Sequence, residues 1–254
     1  MSGRSTRDSR REERLQAESE GDREERRKRL LQIGSAAVFL AIVAVAVLIV
    51  VSQSQTSGGD TELEDTGLVS RQLNGIPQNG MVLGDPRAKV TLIEFGDLQC
   101  PVCKGFSEEI VPDVIDSKVR SGEAKIEFRN YTIISQESIP AGAAAIAAGE
   151  QGRGWSFVEL FYRNQGPEAS GYVTDAFLTE IARGAGVRDI ARWNSDRKSD
   201  KVLQEVRDTT AEAQQLGLTG TPSFAVQGAG TSGLETLGTP GSAEALEEAI
   251  EGAG

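Results

Sequence analysis

The chain contains no histidine, and this absence excludes several kinds of active site. Histidine is the commonest metal ligand and the usual general base of enzymes, so Ser-His-Asp and Cys-His catalysis are ruled out. Only two cysteines occur among the 254 residues. They are too few for a tetrahedral zinc site or for the disulfide framework of a secreted scaffold. We therefore expect no bound metal or other cofactor.

An excess of basic residues is also missing. The formal net charge is -11, whereas proteins that bind nucleic acids need clustered Lys and Arg to contact phosphates. We therefore expect no nucleic-acid partner. The acidic balance favours the solubility of an exposed domain, but it does not identify a partner.

The N-terminal part of the chain has the pattern of a signal-anchor. Residues 1–29 are mostly charged and polar, and they end in a basic cluster at 26–29. The apolar interval 30–51 follows. At about 1.5 Å per residue it is long enough to span the roughly 30 Å hydrocarbon layer of a membrane. A cleaved signal peptide is the alternative, but its apolar region is normally only about 7–15 residues long.

The charges that flank the apolar interval predict its orientation. Basic residues precede it, whereas residues 52–65 contain no Lys or Arg and four acidic residues. This asymmetry predicts a cytoplasmic tail at 1–29, a single transmembrane helix at 30–51 and an extracytoplasmic remainder at the cell membrane. Residues 52–75 are rich in Ser, Gln, Thr and Gly and are expected to form a flexible linker.

Residues 76–254 are expected to form one α/β domain. Apolar runs predict strands at 90–95 and 124–129. Between them lies a helical pattern at 106–119, which Pro112 could kink or break. Two strands joined by a helix of this length form a right-handed βαβ unit with parallel strands.

The second half of the domain begins with a long helical region. The interval 139–216 is almost wholly helical in pattern, with glycines between its segments. Strands are predicted at 223–226 and 234–237, and Ser242 has the position of an N-cap for a last helix at 243–251. The helical interval also contains aromatic residues that are expected to lie in the core and not to line a peptide groove: Trp155, Phe157, Phe161, Tyr162 and Trp193.

Both cysteines lie in one motif, Cys100-Pro101-Val102-Cys103, where a predicted strand gives way to a helix. Proline suits the first position of a helix, so Cys100 is expected at a helix N-terminus, where free N–H groups and the helix dipole favour an anion. The pKa of its thiol should therefore fall below the usual value of about 8.5. Cys103 lies one turn further on and is better shielded. We expect exchange at Cys100, with Cys103 as the resolving thiol; a structural pair or half of a metal site is the alternative.

Glu94 lies inside the apolar run that precedes the motif. A carboxylate in a strand that is buried on both sides should have a raised pKa, and it could exchange a proton with Cys103. A solvent-facing glutamate on a half-exposed strand is the alternative interpretation.

The interval 84–103, which contains Glu-Phe followed by Cys-Pro-x-Cys, resembles the opening of DsbA-like thiol–disulfide oxidoreductases. It is most like the membrane-tethered forms of Gram-positive bacteria, and a Gly-Thr-Pro sequence at 220–222 adds to the likeness. The resemblance covers about residues 80–249. It implies a thioredoxin fold with a helical insertion between its βαβ and ββα halves. It also implies an extracytoplasmic enzyme that forms disulfides in reduced exported proteins or peptides and is reoxidised by a membrane redox partner.

The resemblance also assigns roles to single residues. Thr221-Pro222 matches the family's cis-proline, beside which the Thr221 backbone would pair with an extended substrate peptide; Pro101 and Val102 are assigned to the same substrate surface. Glu94 matches the acidic residue beneath the cysteines. Val102 departs from the family pattern, because strongly oxidising members often carry a histidine there that stabilises the reduced thiolate. The resemblance therefore implies disulfide exchange and leaves the strength of the oxidant open.

Other functions remain compatible with these patterns. The same fold could act as a disulfide reductase or isomerase, although no dimerisation domain is recognisable between anchor and catalytic domain. A tethered, non-enzymatic binding module would keep the fold and use only its peptide-binding groove. A metallochaperone is disfavoured, because the chain has two methionines and no histidine.

Overall fold

The computed structural model describes residues 63–254. The predicted tail at 1–29, the predicted transmembrane helix at 30–51 and the first part of the predicted linker lie outside the described residues. Within residues 63–254, no helix is both long enough and apolar enough to cross a membrane.

The described residues contain one mixed β-sheet of six strands, in the order β1-β2-β4-β3-β5-β6. The strands are β1 Gln78–Asn79, β2 Val82–Leu83, β3 Val90–Gly96, β4 Ala124–Asn130, β5 Ser223–Gln227 and β6 Glu235–Gly238. The two central strands β3 and β4 are parallel, which confirms the predicted βαβ unit. The other neighbouring strands pair antiparallel.

Helices cover the sheet. They are α1 Thr66–Gln72, α2 Pro101–Glu109, α3 Val111–Val114, α4 Ser138–Gly149, α5 Gly154–Arg163, α6 Asp175–Gly184, α7 Ile190–Asp196, α8 Asp200–Gln215 and α9 Ala243–Ala253. The predicted helical insertion is confirmed as α4 to α8. The predicted N-cap is also confirmed, because the Ser242 hydroxyl accepts a hydrogen bond from the backbone N–H of Ala245.

The helical pattern predicted at 106–119 is interrupted in the structure. Helix α2 ends at Glu109, α3 follows after one residue, and the chain then widens into a π-helical segment, Ile115–Val119. Pro112 accounts for the interruption, because it lacks the N–H that would bond to the carbonyl one turn earlier.

The prediction of a flexible linker up to residue 75 is wrong over its last part. Residues Thr66–Gln72 form α1, and Val69 and Leu73 are buried in the main hydrophobic core. The guanidinium of Arg120 fixes the end of this helix by donating to the carbonyls of Gln72 and Asn74, at 2.8 and 3.0 Å. The domain therefore includes α1 and does not begin near residue 76.

Strand β3 carries the centre of the core and directs one face toward the cysteines. Its alternate side chains enter different hydrophobic clusters: Ile93 and Phe95 pack with Ala213 of α8, whereas Leu92 belongs to the cluster that contains both cysteines. Because strand side chains alternate between faces, Glu94 shares the face of Leu92. The aromatic residues predicted to be core are all fully buried: Trp155, Phe157, Phe161, Tyr162 and Trp193.

Candidate active site

The cysteine pair lies at the junction between the end of β3 and the start of α2. Cys100 is the N-cap residue of α2, in an extended backbone conformation, and Pro101 occupies the first helical turn, as predicted. Both thiols are free and buried. Cys100 keeps 4% of its surface exposed and Cys103 keeps none, so Cys100 is the outer thiol of the pair.

The environment of Cys100 favours its thiolate. Its pKa is lowered to about 6, chiefly by a hydrogen bond from the Cys103 side chain, with smaller contributions from the Thr221 side chain and from the backbone N–H groups of Cys103 and Val102; partial burial opposes this shift. The predicted direction is confirmed. The largest cause, however, is the second thiol and not the helix terminus on which the sequence argument relied.

Cys103 behaves in the opposite way. Burial raises the pKa of its thiol well above the usual value, and the neighbouring Cys100 and the charge of Glu94 raise it further. Cys103 therefore holds its proton under conditions in which Cys100 has lost its own. The two thiols differ because one lies at the surface end of the helix and the other lies in the core.

Glu94 lies on the face of β3 that is directed toward the pair, and it is buried, as its position in an apolar strand predicted. The residue is only 2% exposed, and its Oε1 atom has no hydrogen-bond partner. Burial raises the pKa of its carboxyl to about 8, with added repulsion from the charges of Glu159 and Cys100. The solvent-facing alternative is excluded.

The loop before β5 brings Thr221 to the outer thiol. The Cys100 Sγ–H donates to the Thr221 carbonyl oxygen at 3.3 Å, and the Thr221-Pro222 peptide bond is cis. Pro101 and Val102 lie on the exposed surface beside Cys100, and Val102 is 53% exposed. The structure thus brings together all seven residues that the sequence analysis assigned to the site.

The residues that hold the loop in front of the cysteines were not predicted from the sequence. Asp97 is fully buried, and its carboxylate accepts hydrogen bonds from the backbone N–H groups of Gln99, Ile133 and Ile134 at 2.9, 2.8 and 2.9 Å. These bonds tie the segment before Cys100 to the segment after β4. Its place in the sequence, three residues before Cys100, was a usable signal.

Two glutamine side chains attach the same loop to the helical insertion. Gln165 Nε2 donates to the carbonyl oxygens of Leu98 and Cys100, at 2.7 and 3.2 Å. The amide of Gln99 donates to Ser135 Oγ at 2.8 Å and accepts from the Ala169 N–H at 2.7 Å. Nothing in the sequence near Gln165 marks it as a neighbour of the cysteines.

A second buried carboxyl, that of Glu159 on α5, was also missed. The residue is 1% exposed, and burial raises the pKa of its carboxyl to about 7, against the lowering effect of Arg163 and Ser107. The only sequence signal is an acidic residue inside the apolar interval 155–162.

Comparison with known proteins agrees with this geometry. A family model described as thioredoxin matches residues 77–251. Probable disulfide bond formation protein D of Bacillus anthracis is 28% identical over 149 residues, which cover 58% of this chain and 69% of that protein. Disulfide bond formation protein D of Bacillus subtilis is 26% identical over 147 residues, which cover 57% and 66%. The crystal structure of oxidised BdbD from Bacillus subtilis matches with a TM-score of 0.60 at 23% identity, covering 70% of this chain and 95% of that one.

The chain therefore belongs to the thioredoxin family. Its cysteine pair at a helix N-terminus, with the Thr221 loop beside it, makes it a thiol–disulfide oxidoreductase. Within that class its similarity is to disulfide bond formation protein D and to DsbA-like structures, as the sequence resemblance implied.

Proposed function

We propose that this protein introduces disulfides into exported proteins through the Cys100–Cys103 pair. The observation that carries the proposal is the opposite behaviour of the two thiols. The pKa of Cys100 is lowered to about 6, while that of Cys103 is raised by burial. A stabilised thiolate at Cys100 favours the reduced form, and a pair whose reduced form is stabilised is a strong oxidant.

The first step of the proposed reaction occurs at the outer sulfur. A substrate thiolate attacks Cys100 Sγ of the Cys100–Cys103 disulfide, a bond forms between substrate and Cys100, and the bond between the two cysteines breaks. The electron pair leaves on Cys103, whose buried sulfur takes a proton. Glu94 is the proposed donor, since the charge of its carboxyl acts on the Cys103 thiol and the carboxyl pKa is about 8.

The second step releases the product. A second substrate thiolate attacks the substrate sulfur of the mixed disulfide, the substrate disulfide forms, and Cys100 leaves as its favoured thiolate. Two electrons have then passed from the substrate to the Cys100–Cys103 pair. An electron acceptor must remove them, and we assign this role to a membrane redox partner by analogy with DsbA-like systems.

The surface around Cys100 suits an extended peptide. Three large apolar side chains are exposed in the described part of the chain, and two of them, Val102 and Ile133, lie on segments next to the cysteines. We propose that a substrate peptide lies against this surface and Pro101, with its backbone beside Thr221-Pro222.

We further propose that the site lies outside the cytoplasm, tethered through the apolar interval 30–51. Disulfides persist in oxidising compartments, and the flanking charges predict this orientation. A membrane-impermeant thiol reagent added to intact cells under reducing conditions should label Cys100 of the full-length protein. Labelling only after cell lysis would contradict the proposed location.

Single cysteine variants test the exchange mechanism. We expect Cys100→Ser to abolish disulfide exchange. Cys103→Ser should accumulate mixed disulfides with client proteins, because Cys103 can then no longer release a bound client by attacking the Cys100 sulfur. Exchange at the wild-type rate by Cys100→Ser would disprove the mechanism. Function that survives loss of both cysteines in a complementation assay would instead favour a non-enzymatic binding module.

The direction of exchange is tested by the reduction potential. Equilibration with glutathione should give a value nearer to about -120 mV, the potential of DsbA, than to about -270 mV, that of thioredoxin. A value near that of thioredoxin would favour a reductase. Because about 30 mV corresponds to a tenfold change in equilibrium, the two outcomes are well separated.

A further inference from the structure

Several buried polar atoms without a hydrogen-bond partner lie on residues between the cysteine pair and α1. Among the described residues, seven buried side-chain nitrogen or oxygen atoms have no hydrogen-bond partner. Five of the seven belong to residues that form a series in space from β3, through α2 and α5, to α1: Glu94, Ser107, Glu159, Arg163 and Gln72. Buried polar groups are normally satisfied by protein or by ordered water, so a cluster of exceptions calls for an explanation.

At the end of this series that lies nearest the cysteines, the neighbours are Glu94 and Glu159. The two carboxyl groups come from β3 and α5, both are almost completely buried, and the charge of Glu159 raises the pKa of Glu94. Ser107 lies one turn after Cys103 on the buried face of α2. Its hydroxyl lowers the pKa of the Glu159 carboxyl, although the two groups do not form a hydrogen bond of normal geometry.

The outer end of the series leads to the surface at α1. Arg163 lies one turn after Glu159 on α5, and its Nη2 atom is 3.8 Å from Glu159 Oε2. The same nitrogen donates to Gln72 Oε1 at 3.2 Å, and Nη1 lies 3.6 Å from a carboxylate oxygen of the exposed Asp65. Polar groups therefore extend from beneath the cysteines to solvent through an otherwise apolar core.

A proton on Glu94 needs such a connection. If Glu94 gives a proton to Cys103 in one half of the cycle and recovers it in the other, it must exchange that proton with solvent. The carboxyl is buried among apolar side chains and has an unpaired oxygen. Direct exchange with bulk water is therefore obstructed, and a polar group behind Glu94 has to take part.

We propose that Glu159 is the positioning residue that passes protons between Glu94 and solvent, in a hydrated path that Ser107 and Arg163 help to form. When Cys103 leaves as a thiolate, it takes a proton from Glu94, Glu94 takes one from Glu159, and Glu159 regains one from water near Arg163. Reoxidation of the pair reverses each transfer. The inference rests on the proposed role of Glu94 but not on the direction of exchange.

The charges around Glu159 suit this role. Burial raises the carboxyl pKa of Glu159 to about 7 and that of Glu94 to about 8, so the two carboxyl groups have similar proton affinities and a proton can pass between them. The neighbouring charges come from three elements: Glu94 on β3, Glu108 on α2 and Arg163 on α5. The charge of Arg163 favours the carboxylate form of Glu159 and lowers its pKa.

The test compares Glu159→Gln with wild type in the full-length chain, measuring the rate at which a small dithiol reduces the disulfide as a function of pH. We expect Glu159→Gln to be about tenfold slower near neutral pH, with a displaced pH profile. The matched control is Glu150→Gln, which alters a partly buried carboxylate paired with Lys201 away from the cysteines; it should keep the wild-type profile. A wild-type profile for Glu159→Gln would overturn the inference.

Two further variants separate the possible causes. Glu159→Asp keeps a carboxyl and should recover part of the rate; if it were as slow as Glu159→Gln, packing and not proton transfer would explain both, and the inference would fail. Glu94→Gln should be slower than either variant. If Glu94→Gln is slow while Glu159→Gln is not, the role of Glu94 stands and only the relay is wrong. If Glu94→Gln is itself unaffected, the proposed role of Glu94 fails and the relay with it.

A spectroscopic measurement gives an independent readout. During reduction of the disulfide, a time-resolved infrared spectrum should show a transient loss of carbonyl bands from protonated carboxyl groups, and Glu159→Gln should remove one of these transient signals. Identical transient carboxyl bands in Glu150→Gln and Glu159→Gln would show that Glu159 gives up no proton during reduction, and would overturn the inference.

Discussion

Two buried carboxyl groups near the cysteines, those of Glu94 and Asp97, are held in opposite ways. The Asp97 carboxylate accepts three backbone N–H groups, whereas Glu94 has an oxygen with no partner. Charge-assisted hydrogen bonds stabilise a carboxylate and fix its geometry, while an unpaired buried carboxyl tends to hold a proton. Asp97 therefore fixes the loop in front of Cys100, whereas Glu94, beneath the cysteines, can gain or lose a proton.

The backbone explains why the two groups differ. Glu94 lies within β3, where it is paired with Phe128 on one side and Phe224 on the other, so the sheet uses the nearby N–H groups. Asp97 comes directly after Gly96, the last residue of the strand. Loop N–H groups there are not used by a ladder, and they are available to its carboxylate.

The largest effect is expected from removing the fixed carboxylate. Asp97→Ala would leave three buried N–H donors without an acceptor, and we expect it to lower the free energy of unfolding by about 4 kcal/mol. Denaturant unfolding of the full-length chain measures this change. Asp85→Ala is the control, since the Asp85 bonds to Arg87 lie at the surface. If Asp97→Ala and Asp85→Ala were equally stable, the structural role assigned to the Asp97 hydrogen bonds would be wrong.

A smaller, pH-dependent effect on stability is expected from replacing Glu94. The pKa of Glu94 is raised from 4.5 to about 8, so the folded state binds this proton more tightly than the unfolded state. Wild-type stability should therefore fall as pH rises through that window. Glu94→Gln carries no such penalty. We expect it to be more stable than wild type by on the order of 3 kcal/mol at pH about 9, and equally stable at pH about 4.

Thermal unfolding of the reduced protein at the two pH values measures this difference. A Glu94→Gln variant that is less stable than wild type at the alkaline pH would show that the carboxyl contributes structural hydrogen bonds, and it would place Glu94 in the same class as Asp97.

The smallest effect is expected at the exposed surface. A histidine at Val102 would lie next to the Cys100 thiolate, gain a proton from that proximity and lower the pKa of Cys100 below about 6. We expect Val102→His to raise the reduction potential by roughly 10–30 mV. Thiolate absorbance against pH and equilibration with glutathione measure the two quantities, with Val102→Leu as control. Equal potentials for both variants would show that the outer surface does not tune the pair.

The reactive residues could be predicted because their signals are local. Cys100 and Cys103 lie in one motif, and Glu94 shares with them a strand-to-helix junction. The Thr221-Pro222 pair is distant in sequence, and only the family resemblance connected it with the cysteines. Burial of Glu94 followed from the apolar residues on both sides of it, since a strand with such a sequence is covered on both faces.

The supporting residues could not be predicted because tertiary packing places them. Glu159 and Gln165 reach the site only after the helical insertion has folded back over the loop before α2, and no periodicity records that arrangement. Helix α1 was missed for a different reason. It is only seven residues long, and just Val69 and Leu73, one turn apart, mark its buried face.

Gln165 has a practical consequence for protein engineering. One side-chain amide donates to the carbonyls of Leu98 and Cys100, so the segment that follows α5 holds the loop that presents the reactive sulfur. The Cys-Pro-Val-Cys motif alone is therefore not sufficient to transfer the reactivity of this site to another protein. In a smaller thioredoxin scaffold that received only these four residues, both carbonyls would bond to water. A design that keeps the reactivity of this site also has to include Gln165 and the segment that positions it.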